Sequence, residues 1–417
     1  MKNKNMQDTR SKIIASAAEL FRNRGYNQVG IQDILDASGV SRGSFYFWFK
    51  SKEKLGEAVS DYFGRAFSSL ARDAFSTPKW ADGVDAMLQK FFGAAKPATP
   101  VANLGIEFAH GNRRLLLHVA RGMKNVENAF ETALAAQGLP PESAFVRAGT
   151  MMALIEGHAL RMILSRDRTV ISQLRDDLIQ LARREPDAWE RDLAGLLRRK
   201  VKNTSRKASS RAAQKILDSV DDRSIISDRE KKCRGSCETD SKRRFIVSRA
   251  ARLFWERGYY TTSVSSISAE CGVAKGSFHF YFDNKSALVS RVLEHYKCMY
   301  AGFLKQAATV KDLPEFIDML YELLTPLAPD FACPIGSIGL EVANTDVALA
   351  GTVGSHLALL EDGCAAMMAD KGLPSARAAR VAATVIAVWE GQVTRMVIHR
   401  DSRILDHLKY DLLDLVR

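Results

Sequence analysis

Residues 41–55, SRGSFYFWFKSKEKL, return as residues 274–288, AKGSFHFYFDNKSAL. Aligned without a gap, residues 13–55 and 246–288 share 18 identities in 43 positions. Among them are Phe21 with Phe254, Gly25 with Gly258, Tyr26 with Tyr259, Gly39 with Gly272, and Gly43-Ser44-Phe45 with Gly276-Ser277-Phe278. Such self-similarity constrains architecture more than any local pattern, because both copies must fold alike. Beyond this block the echo persists after a one-residue insertion. LGIEFA from Leu104 answers IGLEVA from Ile338, GLP at Gly138 answers GLP at Gly372, and EGHALRMILSRD from Glu156 answers EGQVTRMVIHRD from Glu390. The duplicated unit is about 185 residues, an ordinary domain size.

Both copies carry helical periodicity and no alternating strand pattern, so the expected class is all-α. Ile13, Ala17, Leu20 and Phe21 fall at spacings of three and four, and Gly25 follows as a stop behind Arg22 and Arg24. Ile246, Ala250, Leu253, Phe254 and Gly258 repeat that helix. Ile31, Ile34 and Leu35 begin a short helix that ends at Gly39, where a positive φ suits a tight turn, and Ser41 caps a further helix. The expected layout is a three-helix domain over 8–55, a helical domain over 56–200, a basic polar linker over 201–240 with a short helix near Ala212 to Val220, and the same pair over 241–288 and 289–417.

The 417 residues are 46% hydrophobic and carry a net charge of +12, which suits a polyanionic partner and equally a basic solvated surface. No stretch approaches the roughly 18 unbroken apolar residues of a membrane helix, and the basic MKNKNMQDTR start has no apolar region behind it. A cytoplasmic protein without a membrane partner is expected. All six cysteines lie between Cys233 and Cys364, and reduced thiols are expected; Cys233 and Cys237 lack the further ligands of a zinc site, so neither metal nor cofactor is expected. Cys333, before Pro334 and matched by Thr99 before Pro100, is a candidate thiol sensor. An enzyme is disfavoured: HExxH, GxSxG and P-loop motifs are absent, and Glu156 with His158 is answered by Glu390 with Gln392. Met151, Met152, Phe108 and Trp389 read as core rather than pocket.

A short helix, a glycine turn and a second short helix form a helix-turn-helix, whose second helix enters the major groove. Phe45 and Phe49, four apart, pack inward, which leaves Arg42, Ser44, Tyr46 and Phe47 for thymine methyls and phosphates. Lys52, just after capping Ser51, opens the next helix, where its ammonium and the helix N-terminus suit a phosphate.

These residues carry a resemblance. AAELFRNRGYNQVGIQDILDASGVSRGSFYFWFKSKEKL resembles the DNA-binding domain of TetR-type transcriptional regulators, and AARLFWERGYYTTSVSSISAECGVAKGSFHFYFDNKSAL resembles it again. The later parts are similar, more loosely, to the family's helical ligand and dimerisation domains, with EGHALRMI and EGQVTRMV like its dimer-packing helix. The resemblance implies DNA contact by Gly30, Arg42, Gly43, Ser44, Tyr46, Phe47, Trp48 and Lys52 in the first copy, and by Ser263, Lys275, Gly276, Ser277, His279, Phe280, Tyr281 and Lys285 in the second. It implies a double-stranded operator, an unknown small-molecule effector and, on family grounds, repression; an effector-independent architectural DNA binder is the alternative. Where the family often has His, this chain has Phe47 and Phe280.

Family members resemble homodimers that place two readers in successive major grooves about 34 Å apart. One chain with two copies supplies both, and a linker of about 40 residues spans about 35 Å even as a flexible coil. An internal pseudo-dimer is therefore expected, with a further homo-oligomer left open. Arg42 against Lys275, Tyr46 against His279, Lys50 against Asp283, and Val29-Gly30 against Thr262-Ser263 predict an imperfect palindrome with unlike half-sites.

Overall fold

The computed structural model describes residues 2–76, 80–93, 100–186, 188–198, 237–327 and 331–415. Among the described residues there is no strand, and the class is all-α. The short helix expected near 212–220 and Cys233 lie outside the described residues.

The first copy runs α1 (Lys2–Arg24), α2 (Ile31–Ser38), α3 (Arg42–Trp48), α4 (Lys52–Ala74), α5 (Trp80–Phe92), α6 (Pro100–Ala109), α7 (Arg113–Ala136), α8 (Pro141–Ser165), α9 (Val170–Arg183) and α10 (Ala188–Leu197). The second repeats the order with α11 (Cys237–Arg257), α12 (Val264–Glu270), α13 (Lys275–Tyr281), α14 (Lys285–Thr309), α15 (Leu313–Leu324), a 3₁₀ turn (Thr325–Leu327), α16 (Pro334–Val342), α17 (Val347–Asp370), α18 (Ser375–His399) and α19 (Ile404–Leu415).

Local chemistry sets these boundaries. Gly25 and Gly39 close α1 and α2 in the left-handed region, at φ 79° and 64°, and each N–H returns to the carbonyl four residues back, Phe21 and Leu35, at 2.9 Å. Ser41, Ser51, Asn112, Ser263, Asn284, Asp312 and Asp346 each accept a backbone N–H in the first turn of the adjoining helix.

Helices run across the expected domain boundaries. α4 runs unbroken through 55/56 and α14 through 288/289, so each three-helix reader shares a helix with the part behind it. α11 starts at Cys237, inside the stretch expected to be linker. The described residues also do not divide into contiguous halves: those up to 198 with 387–407 form one compact unit, and those from 237 to 386 with 408–415 the other.

Within the first unit α8 is buried from Ala148 through Leu164. Met151, Met152, Phe108 and Trp389 are all buried. Arg147, fully buried, donates from Nε to Glu190 at 3.0 Å and from Nη1 to the carbonyls of Leu181 and Arg184 at 3.1 and 2.6 Å, so its charge is matched by a buried carboxylate. A second polar knot surrounds Arg161, whose Nη1 bonds His158 Nδ1 at 2.9 Å and Gln173 at 3.2 Å, while His158 Nε2 bonds Asp177 at 2.9 Å. At the equivalent positions of the second copy the residues are Gln392, Arg395 and His407: Arg395 bonds Gln392 and, at 3.4 Å, His407 Nδ1. Histidine and glutamine have exchanged places around the same arginine. α18 is long and apolar enough to cross a membrane by length and composition, but 94% of that stretch is buried, as in a core helix.

Candidate nucleic-acid interface

α3 is seven residues long and amphipathic in an unusual sense: both faces carry aromatics. Phe45 is fully buried and Phe49, which ends the helix, nearly so, which anchors α3 to its own reader. The opposite face exposes Tyr46 at 40% and Phe47 at 61%. Large apolar side chains left in water are a loss unless a partner covers them. Trp48 is half-buried and holds Phe47 edge-on at 5.1 Å; Phe45 does the same for Tyr46 at 5.3 Å. Such contacts fix the rings before any partner arrives.

The polar members are placed as well. Arg42 is exposed, and its Nη2 donates to Gln32 Oε1 on α2 at 2.9 Å, so a residue of the supporting helix aims the guanidinium. Gln32 has no counterpart in the second copy, where Ser265 stands, and nothing local in the sequence marks it as a partner of Arg42. Ser44 Oγ lies 2.9 Å from Ser41 Oγ, while Gly43 is exposed with nothing within 4 Å of where a Cβ would stand, open to close approach. Gly30 caps α2, its N–H donating to Asp33 at 2.7 Å.

The second reader keeps the plan with different chemistry. Phe278 and Phe282 are buried, and Phe280 is 68% exposed beside half-buried Tyr281 at 5.3 Å. Lys275, Gly276, Ser277 and His279 are exposed, with His279 Nδ1 3.1 Å from the Asp283 carbonyl. α13 starts at Ala274 without a side-chain cap where α3 has Ser41, and Ser263 caps α12 by accepting from Ser266 at 3.0 Å.

Two of the expected DNA contacts have a partner within the protein. Lys52 Nζ lies 4.1 Å above the Tyr26 ring, and Lys285 Nζ lies 4.1 Å above Tyr259 while donating to its carbonyl. Burial lowers both ammonium pKa values, with Glu107 and Glu341 respectively pulling the other way. Each half-buried ammonium thus has an aromatic face within the protein as a partner. Cys333, the expected thiol sensor, is buried and caps α16, its sulfur accepting from the Gly336 N–H at 3.4 Å. Cys271, Cys298, Cys333 and Cys364 are free thiols, and burial pushes Cys271 and Cys364 up to about 11 and about 12. These are not the depressed values of reactive thiolates. Among the described residues no cluster of His, Cys, Asp or Glu is arranged to hold a metal ion.

The family profile for bacterial regulatory proteins of the tetR family matches residues 13–59 and again 246–292, the two regions that hold these readers. The chain belongs to the TetR family. Residues 309–410 match the C-terminal domain of LmrA/YxaF-like transcriptional regulators. The HTH-type transcriptional regulator LmrA of Bacillus subtilis (strain 168) is 26% identical over 184 residues, 42% of this chain and 98% of that protein. The uncharacterized HTH-type regulator YxaF of the same organism is 26% identical over 188 residues, 43% of this chain and 97% of that one. A third B. subtilis regulator, YuxN, is 42% identical over 55 residues, 13% of this chain and 19% of its own length. A solved TetR transcriptional regulator from Legionella pneumophila is 23% identical with a TM-score of 0.37, covering 40% of this chain and 94% of that one. This TetR-family chain is a helix-turn-helix DNA-binding transcriptional regulator, not an enzyme, with two TetR-like units in tandem.

Proposed function

We propose that this regulator is a repressor that works as a single chain. Its two readers take the two half-sites of an imperfect palindrome, its two helical parts pair as an internal pseudo-dimer, and a small-molecule effector bound in a helical part releases the DNA. The carrying observation is that one chain holds two readers with exposed aromatic faces, whereas TetR-family regulators act as dimers. Pairing is further supported within the first unit, where buried Glu127 accepts from Arg395 Nε at 2.9 Å and lies 3.2 Å from His399 Nε2, 268 and 272 positions away.

DNA contact is assigned to Arg42, Tyr46 and Phe47 on one half-site and to Lys275, His279 and Phe280 on the other. Arg42, aimed by Gln32, suits a planar bidentate contact to guanine, and Lys275 offers a rotatable point charge. For the effector, Asn103 and Ser337 are favoured contacts. They occupy equivalent positions, are 5% and 2% exposed, and each has a buried oxygen without a hydrogen-bond partner, which a donor group on a small molecule would satisfy.

Selection of genomic fragments by the purified chain, followed by footprinting, tests the reading. Arg42→Ala with Tyr46→Ala weakens one half of the footprint and Lys275→Ala with His279→Ala the other, by about 1–3 kcal/mol per contact. Light scattering gives the 46.2 kDa monomer. A perfectly symmetric operator, or equal weakening of both halves by each pair, refutes the unlike half-sites; a stable dimer refutes the single-chain particle.

A further inference from the structure

Gly25 ends α1 in the left-handed conformation, and the next two N–H groups point together at one anion. Consecutive amides beside a left-handed residue form such a concavity. The anion is the protein's own: Tyr26 N–H donates to Glu107 Oε1 at 3.0 Å and Asn27 N–H to Oε2 at 2.8 Å, from α6, about 80 positions on. The second copy repeats this, with Tyr259 and Tyr260 N–H each 2.8 Å from the two oxygens of Glu341 on α16. Both carboxylates are buried.

The tyrosine between the amides is a wedge. Tyr26 meets Phe21 of α1 edge-on at 5.1 Å and Phe108 of α6 at 4.9 Å, and Lys52 of α4 covers its face. Gly56 on α4 leaves it room, since a Cβ there would lie 3.0 Å from its ring. Tyr259 repeats the place with Phe254 at 5.4 Å and Lys285 above it.

The mechanical consequence comes from the attachment points. Each reader is joined to its helical part through a shared helix, α4 or α14, and one attachment leaves a body free to swivel. The carboxylate supplies a second point. It grips the loop between α1 and α2, and α2 leads through Gly39 straight to α3, so a shift of the grip re-aims the reading helix. We propose that Glu107 and Glu341 are positioning residues that fix the angle of the two reading helices. This deepens, and rests on, the reading that each reader engages its own half-site.

The test uses the full chain and a fragment selected by the unaltered protein, with Glu107→Gln and Glu341→Gln compared. A glutamine carbonyl satisfies one amide and turns an NH2 toward the other, so the side chain's shape is kept and the grip halved. Footprint protection of the half-site belonging to the altered copy falls about tenfold, the other half is unchanged, and deuterium exchange at residues 26–27 or 259–260 rises about tenfold, the scale of one lost hydrogen bond to a charged group. Exchange along α8 stays as in the unaltered chain, which shows that the fold persists. Equal weakening of both halves, or faster exchange with undiminished protection, overturns the positioning role. If the unaltered chain protects no paired half-sites, the proposed function fails instead, and unchanged exchange at the four amides still refutes the grip.

Discussion

Gly25→Ala and Gly39→Ala should differ in cost, although the two glycines look alike in sequence. Both close a helix at positive φ, 79° and 64°, and an alanine there is strained by roughly 1–2 kcal/mol. At Gly39 nothing lies within 4 Å of the added Cβ, so that strain is the whole effect. At Gly25 the Cβ would stand 2.4 Å from Glu107 Oε1, well inside contact distance, and the carboxylate must retreat. Its retreat releases the Tyr26 and Asn27 amides, hydrogen bonds to a charged group worth about 1.5–3 kcal/mol each, of which water regained by the freed groups returns a part. Gly25→Ala should therefore destabilise the first reader by about 3–6 kcal/mol, against about 1–2 for Gly39→Ala. Native-state hydrogen exchange is the suitable assay, because a chain of two units need not unfold in one step and the second reader serves as an internal standard. Glu107→Ala closes a double-mutant cycle: with the carboxylate gone, Gly25→Ala should cost no more than Gly39→Ala. Equal costs in the unaltered background, or a Gly25→Ala cost untouched by Glu107→Ala, would refute the steric coupling.

Two further outcomes are expected. Burial pushes Glu341 up to about 7 against the Tyr260 and Tyr259 amides and Lys285, which pull it down. Because the folded value lies above the ordinary 4.5, the folded chain binds this proton more tightly than the unfolded one, and the second reader should gain about 3 kcal/mol as pH falls from above 7 to below 4.5. Exchange of residues 246–282 across that range should show the gain, and Glu341→Gln should abolish it. In the core, Arg147→Met leaves Glu190 buried with Arg184 4.0 Å away, and thermal melting should report a loss of about 3–5 kcal/mol, most of it recovered by adding Glu190→Leu.

The features legible in the sequence were local. The stops at Gly25 and Gly39, the caps at Ser41 and Ser51, and the inward pair Phe45 and Phe49 each depend on residues within one turn, and each stands in the structure as read. Exposure of Tyr46 and Phe47 followed because the inward face of α3 was already taken. The distant partners were not legible. Nothing near Lys52 in the sequence announces Tyr26 beneath it, and Glu107 reads as one acid in an apolar run until two amides 80 and 81 positions earlier are found on its oxygens. The faint signal was that the same acid recurs as Glu341 in LGIEFA and IGLEVA, where an unpartnered charge would be costly to bury twice. The motif ends at 55, but α4 continues to Ala74 because its apolar face is shared by reader and helical part.

Comparison of the copies separates substitutions among buried partners from those on exposed faces. Around the buried arginine, His158 and Gln173 of one copy become Gln392 and His407 of the other, and the bonds to Arg161 and Arg395 survive. Both residue types can accept from the guanidinium, and losing an acceptor there would cost several kcal/mol, on the order of 3–5. Packing thus keeps an acceptor at each of the two positions. On the reading faces no such reciprocity exists: Arg42 becomes Lys275, Tyr46 becomes His279 and Lys50 becomes Asp283, all exposed, while Gln32, which aims Arg42, becomes Ser265. The fold places no demand on these positions, because Phe45 and Phe278 hold the helices in the same way without them. The two faces are therefore free to differ within one fold, as the proposed unlike half-sites require.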